Sequence, residues 1–153
     1  MRGISILSNK WDSRFLGLAK EISTWSKDPS RKIGCIAVRD RKILATGYNG
    51  FPKGIEDLKV RYDDREQKYH FVVHAEMNTI YNAAENGISL KGSTLYIYGL
   101  PVCSECAKGI IQAGVERVVV FSKETPDRWV DSIAKTTELF EEAGVDYEKT
   151  IVQ

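Results

Sequence analysis

The sequence has 153 residues, with 22 basic and 21 acidic side chains and a net charge of +1 at neutral pH. This balance gives no electrostatic argument for binding nucleic acid, so no nucleic-acid partner is expected. The hydrophobic content of 42% is ordinary for a globular protein, and a chain of this length buries most of its apolar surface. We therefore predict a single domain over residues 1–153.

Cysteine usage and hydropathy indicate the environment of the chain. The three cysteines are too few for a disulfide framework, and two of them form a C-x-x-C pair that suits a reducing compartment. The N-terminal segment lacks the apolar core of a signal peptide, and no apolar run reaches the roughly 18 residues that span a membrane. We therefore expect a cytoplasmic protein without a membrane partner.

The first predicted element is an amphipathic helix. Its apolar residues recur at steps of three and four, which places them on one face that we expect to be buried. These residues are Trp11, Phe15, Leu18, Ile22 and Trp25. Asp28-Pro29 ends the helix, because the residue before proline avoids the helical conformation.

Two short apolar runs at 33–38 and 43–46 then predict a β-hairpin, and Cys35 is interpreted as a buried apolar residue on its first strand. Residues 47–73 contain glycines and a dense charged stretch. A loop of this length in a compact domain is usually functional or contains a short helix.

Helices and strands alternate in the second half of the chain. The predicted elements are a helix at 74–86, a strand at 94–98, a helix at 103–113, a strand at 117–121, a helix at 127–143 and a strand at 146–152. This order predicts an α/β fold with a five-stranded mixed central sheet and helices on both faces. The strand–helix–strand units after residue 94 should form parallel pairs, and the tryptophans should lie in the core.

Two short motifs carry candidate metal ligands. His74 stands two residues before Glu76, and Cys103 and Cys106 form the C-x-x-C pair. Zinc prefers imidazole and thiolate ligands, and a catalytic zinc keeps its fourth position open for water. Both motifs are predicted to begin helices, whose unpaired N–H groups favour thiolate over thiol. The pattern resembles that of zinc-dependent nucleobase deaminases, in which the glutamate carries protons.

A structural zinc site and a redox dithiol are the alternatives. His70 would be the fourth ligand of a structural site, but residues 71–73 look extended, which separates it from His74, and Glu76 would then have no role. A redox dithiol would need neither His74 nor Glu76. We favour catalytic zinc and interpret His70 as a loop residue.

Four segments, in this order along the chain, resemble deoxycytidylate (dCMP) deaminases of the zinc-dependent cytidine/deoxycytidylate deaminase family. They are Ser26-Lys27-Asp28-Pro29-Ser30, Gly47-Tyr48-Asn49-Gly50-Phe51-Pro52-Lys53-Gly54, Val73-His74-Ala75-Glu76-Met77-Asn78 and the nine residues from Cys106 to Gly114. The resemblance implies the cytidine deaminase-like three-layer α/β/α fold. It also implies zinc-dependent hydrolysis of dCMP to dUMP and ammonia.

The resemblance also assigns roles to single residues. It implies zinc ligands at His74, Cys103 and Cys106, the proton shuttle at Glu76, a sugar contact at Asn49, a 5′-phosphate segment at Ser26 and Lys27, and a further substrate contact at Ala75. For Asn49 the alternative is a plain turn after a strand, and the two interpretations are compatible.

One position departs from the family pattern, in which proline directly precedes the first cysteine. Here the order is Pro101-Val102-Cys103. The added residue shifts the backbone carbonyls that would meet the amino group of the substrate, whereas the C-x-x-C spacing needed for zinc is intact.

Deaminases that resemble this chain are often oligomers activated by dCTP and inhibited by dTTP. The resemblance therefore implies a homo-oligomer, either a dimer or a hexamer. It also implies a triphosphate effector, with Mg²⁺, at the segment that contains Gly50 and Lys53. The alternative is that the glycines only shape a turn and Lys53 is solvated.

Three other functions remain open from the sequence. A polynucleotide deaminase would share the zinc site but should carry a basic and aromatic surface for the strand. A nucleoside deaminase would lack a cation that binds phosphate. A non-enzymatic zinc protein would leave Glu76 without a purpose.

Overall fold

The computed structural model describes residues 4–6, 9–123 and 125–151. They form one mixed sheet with the strand order β1-β6-β5-β4-β2-β3. Its strands, in chain order, are β1 (Ile4–Ile6), β2 (Gly34–Arg39), β3 (Lys42–Tyr48), β4 (Thr94–Tyr98), β5 (Arg117–Phe121) and β6 (Asp146–Ile151). Strand β2 pairs antiparallel with β3 and β4, whereas β4, β5, β6 and β1 pair in parallel. The predicted hairpin and the predicted parallel pairs are thus confirmed.

The helices within the described ranges, in chain order, are α1 (Lys10–Ser23), α2 (Lys59–Asp63), α3 (Arg65–Phe71), α4 (Ala75–Glu85), α5 (Ser104–Gln112) and α6 (Val130–Ala143). A short 3₁₀ turn, Asp127–Trp129, precedes α6. None of these helices is both long enough and apolar enough to span a membrane.

Alternating side chains of the central strands build two cores, one on each face of the sheet. On one face, residues such as Ile36 and Val119 pack against α1. On the other, residues such as Cys35 and Ile97 pack with α4, α5 and α6. Because strand side chains alternate between faces, strands covered on both sides are apolar throughout, as the buried runs of β2 and β5 are. The predicted layered α/β fold is confirmed.

Among the residues that the structure describes, the sheet contains one strand more than the five predicted. Strand β1 spans Ile4–Ile6 and pairs with β6 at the edge of the sheet. A strand this short has too few residues to show an alternating pattern, which explains why the sequence did not indicate it. The end of the last predicted strand, at Val152, lies outside the described residues.

The buried face of α1 differs from the predicted one. Phe15 is buried, but Leu18 and Trp25 are 44% and 57% exposed. The helix instead turns Asp12 and Ala19 toward the sheet. An acidic residue is tolerated there because Arg117 and Tyr96 bind its carboxylate, a partnership that apolar periodicity does not reveal.

The segment at 47–73 contains the short helices α2 and α3, one of the two outcomes expected for a loop of this length. Two other predictions need correction. His70 lies in α3 rather than in a loop. The tryptophans are not uniformly core residues, since Trp25 is exposed and Trp11 and Trp129 are partly buried. Cys35 is fully buried on β2, as predicted.

Candidate active site

The two ligand motifs lie at the beginnings of neighbouring helices. His74 is the N-cap residue of α4, Cys103 is the N-cap residue of α5, and both have an extended backbone. Neither side chain caps its own helix, which leaves the imidazole and the thiol available to each other. Cys106 lies in the first turn of α5. The packing of α4 against α5 therefore joins the two motifs.

The three candidate ligands converge on one point. His74 Nδ1 lies 3.4 Å from Cys103 Sγ and 3.3 Å from Cys106 Sγ, and all three donor atoms lie within 4.8 Å of one another. Tetrahedral zinc holds neighbouring nitrogen and sulfur ligands about 3.6 Å apart. The donor set and its spacing therefore both fit Zn²⁺. His70 is exposed and lies outside this cluster, which argues against a structural site completed by that residue.

Glu76 lies in the first turn of α4 and is 5% exposed. It lines the same cavity as His74 and the buried Ala75. Burial raises the pKa of Glu76 to about 7; the charge of His74 opposes this shift and that of Cys103 adds to it. A carboxyl group with a pKa near neutral can both accept and release a proton at physiological pH.

The titration of the two thiols is linked. The hydrogen bond from the Cys106 thiol lowers the pKa of Cys103, with a further contribution from His74, and the same contact raises the pKa of Cys106. The contact with Cys103 also raises the pKa of His74. The arrangement thus favours one thiolate beside an imidazole. Because a divalent metal needs both thiols deprotonated, its binding should release protons.

A cavity of about 490 Å³ opens beside these groups. The charged side chains of its wall, apart from His74 and Glu76, are Asp28, Asp63, Arg31, Arg65, Lys68 and Arg128. Lys68 forms an ion pair with the buried Asp28 at 2.7 Å, so these two charges offset each other. The arginines add guanidinium groups, whose planar donors suit phosphate and carboxylate oxygens.

Asn49 also lines this cavity, and its side chain is held at several points. Its Oδ1 accepts a hydrogen bond from Ile33 N at 2.9 Å, and its Nδ2 donates to Arg31 O at 2.9 Å and to Asp28 Oδ2 at 3.3 Å. These contacts use both amide hydrogens and one of the two lone pairs of Oδ1. A ligand hydroxyl can therefore donate to the remaining lone pair.

Ser26 and Lys27 lie outside the residues that line the cavity. Ser26 is 2% exposed and its hydroxyl donates to the backbone oxygen of Asn49 at 2.8 Å. Lys27 is on the surface, with its Nζ 3.0 Å from Asp57 Oδ2. The structure therefore places Ser26 behind Asn49 and gives Lys27 no contact with the cavity.

Sequence reasoning missed several residues of the cavity wall. Trp129 and Arg128 belong to the 3₁₀ turn, and both line the cavity. The sequence predicts a core position for Trp129, whereas the 3₁₀ turn before α6 places it in the cavity wall. Arg65, at the start of α3, lies in the dense charged stretch within 47–73, where no local pattern distinguishes it from the other charged residues.

The additional residue Val102, between Pro101 and Cys103, does not separate the three candidate zinc ligands. Leu100 and Pro101 line the cavity, whereas Val102 is fully buried and lies outside the lining. Cys103 and Cys106 still reach His74. The structure thus agrees with the expectation that the added residue does not disturb the ligand set.

Gly50 and Lys53 line a second cleft of about 440 Å³ that shares no lining residue with the first. Lys53 forms an ion pair there with Glu85. The two cavities are nevertheless adjacent along the backbone, since Asn49 lines the first and Gly50 the second.

One imidazole and two thiols at zinc-ligand spacing, with a buried glutamate beside them, define a site of the zinc-dependent nucleobase deaminase class. The fold carries the ligands at the starts of two helices that cover one face of the sheet.

Comparison with known proteins identifies the family. The family described as "Cytidine and deoxycytidylate deaminase zinc-binding region" matches residues 9–122. The chain therefore belongs to the cytidine and deoxycytidylate deaminase family, as the sequence motifs predicted.

Relatives with assigned functions are similar over most of their length. Human deoxycytidylate deaminase is 37% identical over 150 residues, which cover 93% of this chain and 80% of the human protein. The mouse deoxycytidylate deaminase is 38% identical over 146 residues, which cover 92% of this chain and 79% of the mouse protein. The crystal structure of dCMP deaminase from the cyanophage S-TIM5, in complex with dCMP and dUMP, matches with a TM-score of 0.75 and 30% identity, over 94% of this chain and 98% of that one.

Proposed function

We propose that this protein hydrolyses dCMP to dUMP and ammonia, with residues 1–153 acting as one catalytic domain. The observation that carries the proposal is a single cavity that contains the candidate zinc ligand His74, the buried Glu76 and several arginines. The similarity to deoxycytidylate deaminases over most of their length supports the same substrate.

The chemistry assigned to the chain is proton transfer. His74, Cys103 and Cys106 would hold Zn²⁺, which when bound lowers the pKa of water at the site toward neutrality. The buried Glu76 takes a proton from the attacking water and delivers it to N3 of cytosine as the water oxygen adds to C4. Glu76 then transfers the proton of the new C4 hydroxyl to the amino group. The C4–N bond breaks, ammonia leaves, and C4 becomes the carbonyl carbon of dUMP. The backbone at Ala75, at the start of α4, is a candidate contact for the substrate base.

The sugar and the 5′-phosphate of dCMP are assigned to the polar and positively charged side chains of the cavity wall. The sugar hydroxyl donates to the remaining lone pair of Asn49 Oδ1, and Ser26 supports that segment from behind. Arg65 and Arg128 are the candidates for the 5′-phosphate because they line the cavity, unlike Lys27.

Ammonia release tests the proposal directly. Zinc-loaded protein should be assayed side by side with dCMP, deoxycytidine, CMP and single-stranded DNA. One charge-assisted hydrogen bond to phosphate contributes about 1.5–3 kcal/mol, so kcat/KM for dCMP should exceed that for deoxycytidine by about ten- to a hundredfold per contact. Equal rates on these two substrates would refute the nucleotide assignment. Activity confined to DNA would identify a polynucleotide deaminase, and inactivity on all four would favour a non-enzymatic zinc protein.

Three variants locate the phosphate contact. Arg65→Gln and Arg128→Gln should lower kcat/KM for dCMP while leaving that for deoxycytidine nearly unchanged, because only dCMP carries the phosphate. Lys27→Gln is the matched control for a cation outside the cavity. The opposite result, a loss for Lys27→Gln alone, would restore the assignment made from sequence motifs.

We further propose that the second cleft binds a triphosphate effector with Mg²⁺, in a homo-oligomer regulated by dCTP and dTTP. The cleft contains Gly50 and Lys53, and an incoming triphosphate would displace Glu85 from Lys53 unless Mg²⁺ bridges the two. An effector acts only through different affinities for two states of the enzyme. Rate curves should therefore be sigmoidal with dCMP alone, hyperbolic with dCTP and depressed by dTTP.

Lys53→Ala should weaken both effects without changing zinc content. Sedimentation should show a dimer or hexamer, and kinetics indifferent to both triphosphates in a monomer would contradict this part of the proposal alone. A cytoplasmic location belongs to the same proposal, since thiolate ligands persist best in a reducing compartment.

A further inference from the structure

The residues on both sides of Cys103 are hydrogen bonded to the C-terminal part of the chain. Val102 N donates to the Tyr147 hydroxyl at 3.3 Å, and Val102 O accepts from Thr136 Oγ1 at 2.8 Å. On the other side, Ser104 N donates to Ser132 Oγ at 2.9 Å. Three hydroxyl groups from α6 and β6 thus hold the backbone that carries one candidate zinc ligand.

These contacts lie in a tightly packed region. Val102, Thr136 and Tyr147 are all fully buried. The Tyr147 ring also packs edge-on against Phe140, with the ring centroids 5.0 Å apart, which restricts the position of its hydroxyl. Buried polar groups that lose their partner are costly, so the backbone at Val102 is strongly tied to this arrangement.

The contact to Tyr147 depends on the departure from the family pattern. Proline has no backbone N–H, so a proline at position 102 would have nothing to donate to the Tyr147 hydroxyl. Val102 supplies that donor. The presence of Val102 in place of proline and the position of the Tyr147 hydroxyl are therefore linked through this hydrogen bond.

We propose that Ser132, Thr136 and Tyr147 are positioning residues for the metal centre. They fix the backbone on both sides of Cys103 and so set the direction in which its sulfur approaches the metal. The inference rests on the ligand set proposed above. It adds that part of the metal affinity comes from α6 and β6, outside both ligand motifs.

Measurements of metal binding, which do not depend on catalytic activity, test the inference. Thr136→Val and Tyr147→Phe remove single hydroxyls, and Thr136→Ser keeps one. Their affinities for Zn²⁺ should be measured by chelator competition, and the absorption spectrum of the Co²⁺-loaded protein reports the geometry of the thiolate ligands. Loss of groups that orient a metal ligand typically lowers affinity about ten- to a hundredfold, and we expect such a loss with a shifted Co²⁺ spectrum in the first two variants. Thr136→Ser should remain close to the unmodified protein.

Tyr96→Phe is the matched control for a buried tyrosine hydroxyl. That hydroxyl donates to Asp12 at 2.6 Å, in the core on the other face of the sheet. The control should lose stability but keep the Zn²⁺ affinity and the Co²⁺ spectrum. If Thr136→Val and Tyr147→Phe behave in the same way as this control, the inference is overturned. Should Tyr147→Phe fail to fold, Ser132→Ala replaces it, with the same two readouts deciding.

A double substitution examines the link to Val102. Val102→Pro removes the donor that Tyr147 accepts from, so adding Tyr147→Phe to it should cost little further affinity. Fully additive losses would refute the coupling. The ligand set has its own test, since His74→Ala should abolish tight Zn²⁺ binding; retention there would refute the ligand assignment regardless of the hydroxyl variants.

Discussion

The indole ring of Trp129 and the imidazole of His74 are stacked, with their centroids 6.0 Å apart and their planes inclined by 23°. His74 begins α4, whereas Trp129 belongs to the turn that leads into α6. Both line the cavity, so the indole forms an aromatic wall beside the candidate metal ligand. This contact restrains the imidazole and leaves the wall suited to a flat heterocyclic ring.

Trp129→Ala should lower kcat/KM for dCMP. An aromatic pair contributes about 0.5–1.5 kcal/mol, which corresponds to about two- to twelvefold. Trp129→Phe retains an aromatic ring and should recover most of the rate. Steady-state kinetics with zinc content measured in parallel checks this, and Trp25→Ala, at an exposed tryptophan, provides the control. Equal rates for Trp129→Ala and the control would show that the wall is dispensable.

Glu76→Gln should make the metal-free protein more stable at neutral pH. Burial raises the pKa of Glu76 from 4.5 to about 7, so ionisation destabilises the native state. The protonated Glu76 contributes fully to the free energy of unfolding when the pH is below the pKa of this group in the unfolded chain. That contribution is lost as the pH rises through the pKa of Glu76 in the folded protein. Glutamine does not titrate. The melting temperature of the variant, relative to the unmodified protein, should therefore rise between about pH 4.5 and pH 7 and then level off.

Thermal unfolding of chelator-treated samples across this pH range provides the measurement. Glu105→Gln removes an exposed carboxylate near the same site and should change the melting temperature little. The same Glu76→Gln variant should lose dCMP turnover by about a hundredfold or more while still binding Zn²⁺. A pH-independent difference in melting temperature would contradict the burial effect without bearing on turnover.

The regular elements were predictable where their patterns are local. Strands β4 and β5 coincide with the predicted bounds, because each is a short apolar run between turn residues. The cluster of His74 with the C-x-x-C pair also follows from ligand chemistry, since few other roles explain that combination.

The remaining features depend on contacts between distant parts of the chain. Strand β1 is defined by pairing with β6, and the buried face of α1 by the partnership of Asp12 with Arg117. The arginines of the cavity could not be predicted from the sequence either, because an arginine in a polar segment has the same local pattern whether it faces solvent or a cavity. Only the folded structure shows which residues these contacts bring together.

Gly47→Ala should destabilise the fold and weaken metal binding together. A Cβ at Gly47 would lie 2.5 Å from the backbone nitrogen of Thr79 and 2.7 Å from the backbone oxygen of Ala75. Relieving these clashes moves α4 away from β3, and α4 carries the candidate catalytic groups. Overpacking of this kind costs about 1–3 kcal/mol.

Urea unfolding and Zn²⁺ titration of the Gly47→Ala protein measure the two effects. Gly17→Ala is the matched control, since a Cβ at this exposed position of α1 meets no atom within 4 Å. It should be neutral or stabilising by up to about 1 kcal/mol because alanine favours helix. Unchanged stability and metal affinity in Gly47→Ala would show that β3 and α4 can separate without consequence.

Asp12→Asn should weaken the attachment of α1 to the sheet. The carboxylate of Asp12 is 3% exposed and accepts hydrogen bonds from Arg117 at 2.9 and 2.6 Å and from the Tyr96 hydroxyl at 2.6 Å. Removing one partner of a buried ion pair costs about 3–5 kcal/mol, and the lower end applies because the Arg117 side chain is 25% exposed and keeps Glu148 as a partner.

The effect of Asp12→Asn should also depend on pH. Burial alone would raise the pKa of Asp12, but the hydrogen bonds from Arg117 and Tyr96 outweigh it and hold the pKa below 3.8. The stabilisation by the Asp12 carboxylate is present above pH 3.8 and is lost as the pH falls through the pKa of Asp12 in the folded protein. The free energies of unfolding of the variant and of the unmodified protein should therefore become equal in strong acid. Urea unfolding at neutral pH and at a series of pH values below 3.8 checks this, with Glu138→Gln in the exposed pair with Lys135 as a control that changes little. If the difference in free energy of unfolding between Asp12→Asn and the unmodified protein stays constant in acid, Asp12 stabilises α1 by packing rather than by charge.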